Sequence, residues 1–507
     1  MSQVDSEMLG YAALTRSTML DVALPNGWAV ARISDIAEKG KQRTPIDDEE
    51  FIYVDIGSID RNLKKITEPQ TLLGKDAPSR ARKVINTGDV LVSLTRPNLN
   101  AVALVGQELD NQIASTGFEV IKPDIVDSRY IFSLVRSKPF IDSISGKVQG
   151  ALYPAAKSDD VRGYEFLLPA LAEQQQIAAK LDELLAQVDN LKTRLDNIPK
   201  ILKRFRQSVL AAAVSGKLTE DWRVEHKYNA IINISEKCFE ERKSVLKKAK
   251  KSVALEDAPI LELPISWSWN SIDEACLKIT DGTHHSPKSY LIGDYMYITS
   301  KNVREGYINL SNITFVDQKT HSEIYSRCDV VKGDVLYVKD GANTGLSCVN
   351  NISEEISLLS SVGVLRPTSF INAKYLEHYL NSPIGRKVML DMIGGTAIMR
   401  LTLTKIMRSP LSIPPIEEQT EIVARVEQLF AYADQIEQRV KDAQSRVNHL
   451  TQAILAKAFR GELTAEWRAQ NPDLISGENS AEALLARIQE ERETVVVTKK
   501  TVKKEKA

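Results

Sequence analysis

The chain repeats itself. The string SGKLTEDWR at 215–223 returns as RGELTAEWR at 460–468, which sets Trp222 and Trp467 245 residues apart. The same offset aligns Pro169, Glu173, Gln174 and Ile177 with Pro414, Glu418, Gln419 and Ile422, and 18 of the 55 positions from 169 to 223 are identical without a gap. Unrelated sequences would share only a handful. A period this long marks a duplicated pair of domains, because solenoid units run about 20–50 residues.

Weaker matches precede each copy. LPNGWAVARISDIAE at 24–38 resembles LPISWSWNSIDEACL at 263–277, and Gly88, Asp89, Val90 and Leu91 recur as Gly333, Asp334, Val335 and Leu336. Between these anchors the halves diverge. At 507 residues the chain exceeds one hydrophobic core. The expected order is an N-terminal extension (1–20), a globule (21–165), a helical spacer (166–223), a charged linker (224–258), a second globule (259–411), a second helical spacer (412–470), and a C-terminal helix with a basic tail (471–507).

The spacers carry a 4-3 alternation of apolar residues, the seam of a coiled coil. In the first it runs through Ile177, Leu181, Leu184, Val188, Leu191, Leu195, Ile198, Leu202, Phe205, Val209 and Ala212. In the second it runs through Ile422, Val426, Leu429, Ala433, Ile436, Val440, Ala443, Val447, Leu450 and Ile454. A long helix with one apolar stripe needs a partner, and the two copies are expected to pair antiparallel, with pseudo-twofold symmetry between the halves. About 36 residues at 1.5 Å each make a rod of roughly 54 Å, longer than one turn of B-DNA at about 34 Å. Pro199 predicts a kink or short break near Ile198, which Gln444 in the second copy lacks. Glu173 and Glu418 place negative charge near the helix starts. The seam serves either an intramolecular pair alone or a wider assembly; Leu185, Phe430, Leu455 and Phe459 lie off the stripe and suggest that another helical protein docks there.

The globules show short β-rich runs such as VLVSL, YMYITS and DVLYV split by turn residues, so the fold class is α+β, two globular α/β domains separated by two long antiparallel helices. Loop residues able to contact purine edges or phosphates are, in the first globule, Arg80, Arg82, Lys83, Arg96, Asn98, Asn100, Lys147 and Gln149. In the second they are His284, His285, Lys301, Asn302, Arg304, Lys339, Asn343, Thr344 and Arg400. Neighbouring imidazoles point different ways on an extended chain, so His284 and His285 read as a turn or phosphate contact and no metal site is expected. The linker reads as a solvated helix, and the tail TKKTVKKEKA as a disordered basic segment within reach of phosphate.

Composition narrows the function classes. A net charge of -1 supplies no global attraction for DNA, so contact must come from local patches, with partner subunits completing the positive groove. Cys238, Cys276, Cys328 and Cys348 lack any C-x-x-C spacing and read as reduced structural thiols. No apolar run reaches the roughly 20 residues of a membrane span and no secretory leader is visible, so a cytoplasmic protein that meets no membrane is expected. Phosphate-loop, adenine-methyltransferase, G-x-S-x-G and H-E-x-x-H motifs are absent, which argues against an enzyme.

The duplicated P-x-x-x-E-Q helix starts, KLDELLAQVDNLKTRLDNIPKILKRFRQSVLAAAVSGKLTEDWR, and EQLFAYADQIEQRV through RGELTAEWRAQNPDLISGENSAEALL closely resemble the specificity subunits of type I restriction-modification enzymes, in wording most like the K-type (type IA) branch. The resemblance covers about residues 166–223 and 412–490 and reaches the globules only in fragments such as DGTHHSP and KDGANTG. It implies two target recognition domains, each reading half of a bipartite asymmetric DNA site, with the helices setting the unread gap. It also implies two methylation subunits that bind S-adenosylmethionine and methylate adenine N6. Two restriction subunits that use ATP and Mg2+ complete the set, and this chain binds no cofactor itself. The competing reading is a coiled-coil protein-interaction scaffold without sequence-specific DNA binding.

Overall fold

The computed structural model describes residues 24–145, 155–226, 234–246, 252–255, 258, 261–391 and 400–504. Lys147, Gln149 and the N-terminal extension therefore lie outside the described residues. The chain divides into two compact units, one formed by residues 1–196 and 442–507, the other by 197–441.

In the first unit, strands Ala29–Arg32 and Glu165–Leu168 pair antiparallel, Ala29 opposite Leu168, and so close the globule where its chain begins and ends. Between them lie two four-stranded sheets. One has the order Gln70–Leu73, Glu50–Val54, Gln112–Ser115, Ala81–Ile85, and the other Ala37–Glu38, Phe118–Pro123, Val90–Ser93, Val102–Leu104. Val54, Ile85, Leu91, Phe118 and Val120 fill the space between them.

The second unit repeats this plan. Ser268–Ser271 pairs with Pro410–Ile413, and Cys276–Asp281, Val362–Pro367, Val335–Val338 and Ser347–Val349 form the four-stranded sheet. The repeated Gly-Asp-Val-Leu strings have the same job in both. Gly88 (φ 86°) and Gly333 (φ 95°) adopt the left-handed turn that glycine tolerates. The aspartate that follows each accepts a backbone hydrogen bond, Asn86 N to Asp89 at 2.8 Å and Val331 N to Asp334 at 2.9 Å. Each also pairs with a cation from the neighbouring strand, Lys122 at 3.0 Å and Arg366 at 2.8 Å. The helices Ser128–Leu134 and Ala373–Asn381 are capped alike by Asp127 and Asn372.

Two helices of 44 residues each, Leu171–Val214 and Ile416–Phe459, contribute one part to each unit. Their pairing is antiparallel in both. In the first unit Gln444 donates to Asp196 at 2.7 Å and Ile177 and Leu181 share a core with Leu455 and Ala458. In the second, Arg206 donates to Asp434 at 2.6 Å and Arg425 to the Leu218 carbonyl at 2.9 Å.

Of the seam residues, Ile177, Leu181, Val188, Leu202, Val209, Ile422, Val426, Ala433 and Val440 are buried. Leu184, Leu195, Ile198, Phe205, Leu429, Ile436, Val447 and Ile454 are half-buried. Leu191 and Leu450, assigned to the seam by spacing, are 44% and 42% exposed. Leu202 and Val440 are buried without belonging to either globule's core, so the helix pair itself covers part of the seam, unevenly along its length.

The globules also account for the widened stripe, so its residues alone do not call for a docked helical protein. Leu185, Leu455 and Phe459 belong to the core of the first unit and Phe430 to that of the second. The helix runs unbroken through Pro199, so no break follows the proline, which stands exposed on the helix surface. Nor is the linker helix, Ile234–Val245, only solvated: Ile234, Cys238 and Arg242 are buried against the second globule. The C-terminal helix Ala481–Lys504 extends into the segment expected as a disordered tail and packs Ala481, Leu484 and Ile488 into the first unit's core.

Candidate nucleic-acid interface

Each unit is tied together by one buried carboxylate. Glu173 and Glu418 are fully buried in the first turn of their long helices. Glu173 accepts from the Trp28 indole at 2.8 Å, the Thr464 hydroxyl at 2.6 Å and Arg468, whose Nη2 lies 2.9 Å away. Glu418 accepts from Trp267 at 2.9 Å, Thr219 at 2.7 Å and Arg223 at 2.5 Å. Arg468 also lies over the Trp28 ring and Arg223 over that of Trp267, at 5.4 and 5.8 Å from their centroids. The neighbouring Gln174 and Gln419 accept from the backbone of Asp127 and Asn372 and donate to the carbonyls of Pro169 and Pro414. A buried carboxylate is tolerated only when paired and fully hydrogen-bonded. The repeated sequence supplies those partners from two places: the residue just before the globule's first strand, and the turn and short helix after the other long helix. Trp28, Trp267, Thr219, Thr464, Arg223 and Arg468 escaped the sequence reading as partners of the glutamates, although their recurrence in both halves was the available signal.

Each unit also carries a cluster of polar loops at one end of its sheets. In the first unit Thr116 N donates to the Arg80 carbonyl and Leu94 N to that of Gly117, so the Arg80 turn and the loop carrying Arg96 and Asn98 lie together at one end of the sheets. Arg80, Arg96 and Asn98 are exposed. Arg96 (φ 50°) and Asn100 (φ 48°) both adopt the left-handed conformation, at roughly 1–2 kcal/mol for a non-glycine residue, and such outliers cluster where geometry serves a contact. Two candidates are corrected, and a third, Arg82, is half-buried as Arg304 is in the second unit. Asn100 is buried, donating to the Val135 carbonyl at 2.8 Å and accepting from Lys64 at 2.9 Å. Lys83 turns inward to the Phe118 carbonyl and Glu119, at 2.6 and 3.2 Å. Arg82 folds back onto the Ala81 carbonyl at 2.7 Å.

In the second unit Asn343 donates to the Ser300 carbonyl at 3.0 Å, Ser300 N donates to Ser361 at 3.3 Å, and Asp340 bridges to Arg400. These contacts gather Lys301, Arg304, Asn343, Thr344 and Arg400. The bridge matches Thr95 with Ala155 in the first unit at the 245-residue offset. Lys301, His284, His285 and Arg400 are exposed; Arg304, Asn343 and Thr344 are half-buried. Thr344 closes its own turn, donating to the Gly341 carbonyl at 2.6 Å. Two further candidates are corrected here. Asn302 is buried and staples the turn from Thr299 to Asn309. Lys339 is buried and pairs with the equally buried Asp281 at 3.2 Å. Asp281 also holds Arg327 at 3.0 Å, and Arg327 donates to His284 at 2.7 Å, so Arg327, absent from the sequence candidates, stands half exposed beside this cluster.

Among the described residues no group of three or more His, Cys, Asp or Glu could hold a metal ion, and no helix is long and apolar enough to cross a membrane. All four cysteines are buried and free. Burial raises the Cys238 thiol to about 11 and the Cys328 and Cys348 thiols to about 12, which removes the thiolate that reactive cysteine chemistry needs.

The family model for the type I restriction modification DNA specificity domain matches residues 25–200 and 283–443. The chain belongs to the specificity subunits of type I restriction-modification enzymes. It is 33% identical to the EcoKI specificity subunit of Escherichia coli K12 over 489 residues, covering 92% of this chain and 96% of that protein. Against the StySPI specificity subunit of Salmonella potsdam it is 32% identical over 494 residues, covering 95% and 98%. The first of these similarities places it with the K-type branch.

Two solved structures share the fold of this specificity subunit. A chain from a structure of type I R-M complex assembly and conformational transition superposes with a TM-score of 0.65 at 27% identity, covering 87% of this chain and 100% of that one. The HsdS subunit of Thermoanaerobacter tengcongensis superposes at 0.56 with 26% identity, covering 87% and 99%. The chain is thus the DNA sequence-recognition subunit of a restriction-modification complex, and its two globules are the target recognition domains.

Proposed function

We propose that each recognition domain reads one half of a bipartite asymmetric site through its loop cluster, around Arg80, Arg96 and Asn98 in the first and Lys301, Arg304, Asn343 and Arg400 in the second. One observation carries the reading: both units present an asparagine from the equivalent loops at 95–100 and 340–345, Asn98 and Asn343, while the cations around it, Arg80 and Arg96 in one and Lys301, Arg304 and Arg400 in the other, come from different positions, as two readers of unlike sequences require. The paired helices act as spacer, and the partners are two methylation subunits with S-adenosylmethionine, methylating adenine N6, and two restriction subunits with ATP and Mg2+. This chain supplies positioning and readout, not chemistry, and works in the cytoplasm beside its DNA.

The deciding experiment is a gel shift with the chain co-purified with its methylation subunits, alongside single-molecule sequencing of modified adenines in the host genome. One bipartite motif recovered by both is the expected result. Equal affinity for all sequences would instead favour a coiled-coil protein-interaction scaffold without sequence-specific DNA binding, a reading to which the net charge of -1 lends support.

A further inference from the structure

Two exposed aliphatic positions coincide in the repeat. Ile46 is 74% exposed, and Leu291 and Ile292 are 85% and 89% exposed. Ile46 and Leu291 are 245 residues apart, and each lies four residues before the corresponding strand, Glu50–Val54 or Tyr295–Ile298. Around them the sequences, TPIDDEEF and SYLIGDYM, share almost nothing.

Neither loop is loosely held. Glu49 N donates to the Ile46 carbonyl, Glu49 takes a two-pronged contact from Arg43 at 2.6 and 2.7 Å, and Gly74 N donates to the Glu49 carbonyl at 2.8 Å. In the second unit Tyr290 and Phe315 exchange backbone hydrogen bonds at 2.9 and 2.8 Å. Each turn is therefore pinned to the outer strand of its sheet, Gln70–Leu73 with Gly74 or Thr314–Val316, and holds its aliphatic side chain out into water. A lone exposed leucine needs no explanation. The same rigid presentation at one position of two otherwise divergent domains does.

The duplication also limits the occupant. A base-specific contact would differ between two domains that read different sequences, so the target is common to both halves. Asp47, Asp48 and Glu50 surround Ile46 and are exposed, while the exposed Lys288 and Asp294 flank Leu291 without net charge; the acidic first tip repels phosphate, which argues against an apolar wedge into DNA as the role common to both. A pre-ordered aliphatic anchor fits an apolar pocket on a protein. We propose that these tips are the anchors by which each recognition domain engages one methylation subunit, a partner that meets both halves in equivalent copies. This rests on the partner assignment made under Proposed function.

The test uses the full-length chain co-expressed with its methylation subunits, reading stoichiometry by native mass spectrometry and affinity by titration. Ile46→Asp is expected to weaken uptake of one copy about tenfold or more, Leu291→Asp with Ile292→Asp to weaken the other, and all three together to weaken both. Ile46→Val and Leu291→Met should assemble as the unmodified chain does, with unchanged thermal unfolding in every variant. Two methylation subunits bound with unaltered affinity in the triple variant would overturn the inference while leaving the sequence-reading function intact. So would unaltered assembly with weakened DNA binding, which would assign the tips to the duplex. An unmodified chain that takes up no methylation subunit overturns both the inference and the partner assignment beneath it.

Discussion

Single side chains decide whether each unit holds. Truncating Glu173 to alanine leaves Arg468, Thr464 and Trp28 without their shared acceptor, and breaking a buried ion pair from one side costs about 3–5 kcal/mol. Glu173→Ala should therefore lower the denaturant midpoint and loosen amides in residues 25–32 and 461–468 by hydrogen exchange. Glu418→Ala should do the same only in the second unit, and indistinguishable exchange in the two variants would contradict independent nodes. His378 makes a pH prediction. Burial, aided by Lys374, holds its imidazole down to about 4 from an ordinary 6.5, and its Nε2 has no partner. The native state keeps it neutral while the unfolded state takes a proton below about 6.5, so its contribution is complete above that pH. It is lost as pH falls from 6.5 through 4 and amounts to on the order of 3 kcal/mol. His378→Leu should flatten that part of the stability profile, measured by urea unfolding at successive pH values.

At the scale of elements, the long helices were readable because a 3.5-residue period sustained over many turns has one structural meaning. What covers them was not readable. Leu185 and Phe430 sit off the stripe for a local reason, the globule packed against each helix end, and no spacing rule says which neighbour an apolar residue meets. Pro199 shows the limit of a local rule: the ring costs about 3 kcal/mol in a helix interior, yet a helix fixed at both ends by burial carries it. Pro199→Ala should raise stability by about 1–3 kcal/mol without changing helix content, and circular dichroism with calorimetry would check both. The C-terminal helix is also structural. Leu484→Ala removes a fully buried side chain and should cost about 2–5 kcal/mol, whereas a helix merely trailing in solvent would show no change.

For the molecule as a whole, the duplicated plan was legible because two copies of one sequence cannot differ much in fold. The reading surface was less so. Asn100, Asn302, Lys83 and Lys339 have the side chains of a recognition loop but spend them on backbone carbonyls, turns and buried carboxylates. A polar side chain near a turn looks the same in sequence whether it serves the fold or the ligand. The spacer reading makes the largest-scale prediction. One heptad added after Asp196 and one after Ala443, flanking the Asp196–Gln444 contact, would pair with each other and keep both seams in register. The insertion lengthens the helices by about 10 Å, close to three base pairs of B-DNA, while turning a straight helix by only about 20°. Three base pairs turn the duplex by roughly 100°, so the best gap should shift and binding at that gap should weaken through the twist imposed on the DNA. Methylation sequencing of a strain carrying the insertion reads the new gap directly; a motif with the original spacing would mean that the helices do not measure the distance between half-sites.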